Sequence, residues 1–115
     1  MNFDLSEDQQ AYREAARQFA VGELAPHAAR WDEQQHFPKD VIRRAGDLGF
    51  CALYTPVADG GLGLSRLDAS LIIEELAAGC TSTTAYITIH NMALWMIATF
   101  GSEALKAQWC PAMVT

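Results

Sequence analysis

The sequence specifies an all-α domain, about five or six helices bundled around a buried central one. The central helix is the stretch Thr81–Gly101, TSTTAYITIHNMALWMIATFG. Its apolar residues fall on every side, so it is expected to be buried all round. Its length and its Ala, Leu and Met content favour helix over strand. Ser6, Ser65 and Ser102 each stand just before a run of helical character, where a hydroxyl can cap the first turn. Val41, Ile42, Ala45 and Leu48 carry apolar side chains at helical spacing.

The elements follow in order. Ser6 and Gln9 fit a capping box, and Glu7 and Asp8 suit the positive end of the helix dipole. Tyr12, Ala15, Ala16 and Phe19 form the expected inner face of this first helix. Gly22 weakens it, and Pro26 starts a turn and a helix through Ala28, Ala29 and Trp31. Asp32–His36 is read as a polar connector. Phe37-Pro38 opens the next helix, which Gly49 stops. Phe50–Tyr54 is short and apolar, and is read as extended or irregular. Asp59-Gly60-Gly61-Leu62-Gly63-Leu64-Ser65 lacks the lysine of a P-loop and the order of a dinucleotide loop, so it is a tight turn leading to a helix cap. Ser65, with Asp68 three residues on, starts a helix whose buried face is Leu67, Leu71, Ile72, Leu76 and Ala77; Gly79 ends it. Thr81, Ser82 or Thr83 caps the central helix and Gly101 closes it. Ser102 caps a last short helix with Leu105 and Trp109 inside, and Pro111 stops or restarts the chain.

Length and composition narrow the function. The 115 residues suffice for one domain with a single core, and a half-hydrophobic composition with mean hydropathy +0.02 is globular. A net charge of -6, with no basic stripe, argues against nucleic acid and against acidic membrane surfaces. Thr88, His90 and Asn91 interrupt the one long apolar run, which excludes a membrane span. Three widely spaced cysteines have neither zinc spacing nor the look of a disulfide framework, and point to a reducing compartment. MNFDLSEDQQ has no basic n-region or apolar h-region, so no secretory signal is expected.

No self-contained catalytic constellation emerges. Glu74 and Glu75 project about 100° apart on a helix, so they are read as solvated or ion-paired. His27, His36 and His90 lack metal spacing, and His90 is read as a hydrogen-bonded core residue. Cys80 is read as a structural thiol. Thr81, Thr84, Thr88 and Asn91 form a polar seam along the central helix. Its hydroxyls either bond carbonyls of the preceding turn or face a cavity, with Ala85 and Met92 beside it.

LSEDQQAYREAARQFA, FPKDVIRRAGDLGF, GGLGLSRLDASLIIEELA, TSTTAYITIHNMALWMIATFG and SEALKAQWCP together resemble, in order, the N-terminal helical domain of acyl-CoA dehydrogenases. The likeness covers essentially the whole chain, although Asp59 stands where many members carry an aromatic residue. It implies that residues 1–115 are an N-terminal domain cut from a longer protein, without the β middle domain and the helical C-terminal domain. It implies FAD-dependent α,β-dehydrogenation of a short branched acyl-CoA such as isobutyryl-CoA, with the base and most flavin contacts outside this chain. Thr84, Ala85 and Thr88, then Ile89 and Met92, are the implied substrate-lining residues, which makes the cavity reading of the seam the favoured one. The resemblance also implies an electron-transfer flavoprotein as partner and a homotetramer when full length. The implied location is the cytoplasm of a bacterium or the mitochondrial matrix of a eukaryote. The alternative is a non-catalytic helical binding or assembly module.

Overall fold

Serines start three of the helices. In the computed structural model, which describes residues 2–115, the Ser6 hydroxyl accepts from the Gln9 amide while the Gln9 side chain accepts from the Ser6 amide. The expected capping box is therefore closed from both sides. Ser65 and Ser102 accept from the amides of Asp68 and Leu105 in the same way. The helices are α1 (Glu7–Phe19), α2 (Ala28–Gln34), α3 (Lys39–Asp47), α4 (Arg66–Gly79), α5 (Thr81–Phe100) and α6 (Glu103–Met113). There is no strand among the described residues, so the all-α class with six helices is observed.

Element boundaries differ from expectation in several places. Thr81, Ser82 and Thr83, expected as caps, lie inside α5, whose N-cap is Cys80 with no side-chain cap bond, and Gly101 ends the helix in an extended rather than a left-handed conformation. Asp32–Gln34, expected as a connector, is the last turn of α2, which ends at Gln35 with φ 53°. Its polar residues are simply the wet side of a helix anchored by buried Trp31. Pro111 does not stop α6, which runs on to Met113. So close to the helix end, its missing N–H removes a single bond and the chain carries on. Gly22 sits inside a π-helical turn, Ala20–Leu24, which links α1 to the approach of α2.

The helices form a slab with extents of 42 × 41 × 19 Å. α4 is its hub, packing against α1, the π turn and α5, while α5 also packs against α6. The core has two parts. The larger joins Phe19, Leu24, Trp31, Val41, Phe50, Leu53, Ile72, Leu76 and Ile87. The smaller joins Ala52, Leu94, Ala98 and Cys110. α5 contributes its N-terminal half to one and its C-terminal half to the other.

α5 is buried on one side only, and this corrects the all-round burial its composition suggests. Thr83, Thr84, Ile87, Asn91, Leu94 and Ala98 face inward. Tyr86, Ile89, Met92, Met96 and Phe100 are exposed on the opposite side, and Trp95 is half-buried. Ala15, Leu48, Leu67, Leu105 and Trp109, expected inside, also face outward. Periodicity groups residues on one face, but it does not say whether this chain supplies the surface that face meets.

Phe50–Tyr54 is irregular, as expected, and its place is set by one side chain. Asn91 Oδ1 accepts from the Leu53 amide at 2.7 Å, and Nδ2 donates to the carbonyls of Phe50 and Ile87, each at 2.8 Å. The glycine turn returns along this segment. The amides of Leu62, Gly63 and Leu64 bond the carbonyls of Ala52, Thr55 and Leu53. Gly60 and Gly63 have positive φ, 96° and 64°, where a side chain would be strained.

Candidate open face on helix α5

Ala85, Thr88, Ile89 and Met92 stand at i, i+3, i+4 and i+7, so the turn of α5 gathers them on one side. That side is open. Ile89 is 59% and Met92 49% exposed, Ala85 is exposed and Thr88 is half-buried. Thr84, the fifth expected lining residue, lies at the edge of the core at 2% exposure, and its hydroxyl oxygen has no hydrogen-bond partner among the described residues. The fold thus brings four of the expected residues together as one surface, with an unpaired hydroxyl at its inner margin.

The rest of the polar seam divides between both readings. The Thr81 and Thr88 hydroxyls donate to the carbonyls of Ala77 and Ala85, at 3.1 and 2.7 Å. Asn91 reaches across to a second segment, a role that its spacing did not reveal.

No acid–base group faces this surface from the carboxylate pair. Glu74 is exposed, while Glu75 is ion-paired with Arg13 and Arg17 at 3.4 and 3.3 Å. The hydrogen bond from Arg17 is the main cause holding the Glu75 carboxyl below its ordinary 4.5, helped by the charges of Arg17 and Arg13 and opposed by burial. His90 Nε2 meets the Met113 carbonyl at 2.6 Å, which places a proton on that nitrogen and ties α5 to α6. The three cysteines are buried and free; the Cys80 thiol donates to the Thr83 hydroxyl at 3.2 Å, and burial pushes the Cys51 thiol up. No group of three potential metal ligands occurs among the described residues, and no helix is long and apolar enough to cross a membrane.

The glycine turn does not fit a flavin diphosphate. The amides of Gly60, Gly61, Leu62, Gly63 and Leu64 are all spent on carbonyls between Ala52 and Val57, leaving none for phosphate oxygens. A cleft of about 290 Å³ does exist, between Trp31, Phe37, Cys80, Thr83 and Tyr86, but none of the five expected lining residues borders it. One feature escaped the sequence reading. The Arg66 guanidinium lies 4.0 Å from the Tyr54 ring centroid and 4.6 Å from that of Trp95. The three residues are distant in sequence, so no spacing signals their meeting.

Comparison with known proteins places these features in a family. Residues 6–115 match the family profile described as "Acyl-CoA dehydrogenase, N-terminal domain". Over 111 residues the chain is 51% identical to isobutyryl-CoA dehydrogenase, mitochondrial, of Bos taurus. It is 45% identical, over the same length, to the protein of that name from Dictyostelium discoideum. Each alignment covers 96% of this chain and 27% of the relative, so the chain spans only part of their length. The solved glutaryl-coenzyme A dehydrogenase glutaryl-CoA complex superposes with a TM-score of 0.92 at 32% identity, covering 99% of this chain and 30% of that one. The profile spans nearly every residue and the helices superpose throughout: the chain belongs to the acyl-CoA dehydrogenase family and corresponds to its N-terminal domain.

Proposed function

We propose that these residues serve as the N-terminal helical domain of an FAD-dependent acyl-CoA dehydrogenase and wall one side of the pocket for a short branched acyl-CoA such as isobutyryl-CoA. The observation that carries this is the open apolar stripe of α5, in a chain 51% identical to a protein named for that substrate. Ala85, Ile89 and Met92 supply shape and exclude water; Thr88 and Thr84 line the same wall, and Thr84 offers a hydroxyl with no other use. The α,β-dehydrogenation requires FAD and a base, and in this reading both come from outside these residues; the amides of the glycine turn bond the chain's own carbonyls and leave none for the cofactor's phosphates. The reading extends to an electron-transfer flavoprotein as acceptor and to a homotetramer. It also places a eukaryotic protein in the mitochondrial matrix and a bacterial one in the cytoplasm.

The test is Ala85→Leu in the flavin-loaded protein that contains this chain. Kinetics with isobutyryl-CoA and propionyl-CoA should show selectivity shifting toward the smaller acyl group by about 10- to 200-fold in kcat/KM, the range for a methylene-sized change in a pocket. An unchanged ratio would remove Ala85 from the lining. A wild-type protein that oxidises no acyl-CoA would leave the helical binding module as the better reading.

A further inference from the structure

Arg66 is the first residue of α4, and its guanidinium sits over the rings of Tyr54 and Trp95. Arg13, Arg17, Arg44 and Lys106 all have carboxylate partners, but no carboxylate lies within 4 Å of Arg66 among the described residues. The guanidinium carbon lies over both rings, and its N–H groups make no hydrogen bond among the described residues. A side chain held this way has already lost much of its rotamer freedom, so less is lost when an anion arrives. Lys39, Arg30 and Arg43 also lack a carboxylate partner among the described residues, but of these four cations Arg66 alone is seated over aromatic rings.

Trp95 is three residues past Met92 and seven past Thr88, so it continues the line of the open stripe. The guanidinium is therefore displaced about 10 Å along α5 from the Thr88 level, at 1.5 Å per residue. An acyl-CoA carries its parts in the same order, an apolar acyl group, a flexible neutral arm and then phosphates, and an arm that bends rather than extends fits this reach. We propose that Arg66 is a substrate-binding residue that receives a phosphate of the CoA moiety, with Tyr54 and Trp95 holding it in place. This rests on the acyl-CoA reading above. A planar fork suits phosphate oxygens, and the bond is charge-assisted.

Calorimetric titration of the flavin-loaded protein with CoA and with pantetheine, which lacks the phosphates, tests this in wild type, Arg66→Gln and Arg66→Lys. Arg66→Gln should weaken CoA binding roughly tenfold or more while leaving pantetheine binding unchanged. Arg66→Lys should recover part of the loss, because charge returns without the fork. In turnover, Arg66→Gln should raise KM for isobutyryl-CoA and leave kcat nearly unchanged. Equal loss for CoA and pantetheine would overturn the proposal in favour of a packing role, and equal CoA binding by wild type and Arg66→Gln would overturn it outright. If wild type binds neither CoA nor isobutyryl-CoA, the acyl-CoA reading fails and this inference falls with it.

Discussion

Asn91 is 1% exposed and spends its carboxamide on three hydrogen bonds. Asn91→Leu keeps the branched shape, in a somewhat larger side chain, but strands the Leu53 amide and the Phe50 carbonyl, each worth about 1–3 kcal/mol when left unpaired. A loss of roughly 2–5 kcal/mol in urea unfolding is expected, and a loss below about 0.5 kcal/mol would show that water replaces the bonds. Thr84 gives the contrast, because its buried hydroxyl bonds nothing among the described residues. Thr84→Val should be neutral or slightly stabilising, yet should alter acyl-CoA binding if substrate meets that hydroxyl. Trp95→Ala would cost roughly 3–5 kcal/mol only if the ring were fully buried; half-buried under Arg66, it is expected to cost about 1–2 kcal/mol in the same assay. The serine caps were legible in sequence because a cap is a local bond between residues three apart. Asn91 and Arg66 were not, because their partners lie on segments that only the folded chain brings near.

At the scale of elements, α1 is fastened to α4 by Arg13 and Arg17 on Glu75 as well as by apolar packing. The folded Glu75 pKa lies below its unfolded value, so its stabilisation is complete above about pH 4.5 and is lost as pH falls through the lowered folded value. Glu75→Gln should therefore be less stable than wild type at pH 7, and the gap should close in acid. A gap that stays constant from pH 7 to pH 2.5 would remove this pair from the acid response. The arginines are about half exposed, so added salt should shrink the gap as well. Element faces were the least legible feature. Leu67, Leu105 and Trp109 carry the apolar spacing of a core, and the chain leaves them in the open. A face built to meet another surface has the same periodicity as one built to meet its own.

At the scale of the molecule, Tyr86, Ile89, Met92, Met96 and Phe100 form an apolar strip on one face of the slab. Contiguous apolar surface beyond a few hundred Å² tends to drive association, so residues 1–115 expressed alone should self-associate in sedimentation velocity. Ile89→Lys together with Met92→Lys should restore a monomer without lowering the melting temperature, since neither side chain is in the core. Dissociated wild type at tens of micromolar would refute the strip as the cause.

The division of the core into two clusters has a consequence for how the molecule opens. α6 commits one buried residue, Cys110, to the smaller cluster, whereas α1 and α4 share the larger. The C-terminal helix and the last turns of α5 should thus behave as a cooperative unit of their own, opening at a lower free energy than the rest. In native-state hydrogen exchange, the amides of Lys106 to Cys110 and of Ala112 and Met113 should lose protection while those of Ile72 and Leu76 still report the global unfolding event. The end of α5 that carries Trp95, and with it the clamp on Arg66, would then sit on the more easily released unit, so the tightness of the anion grip would follow the closing of α6.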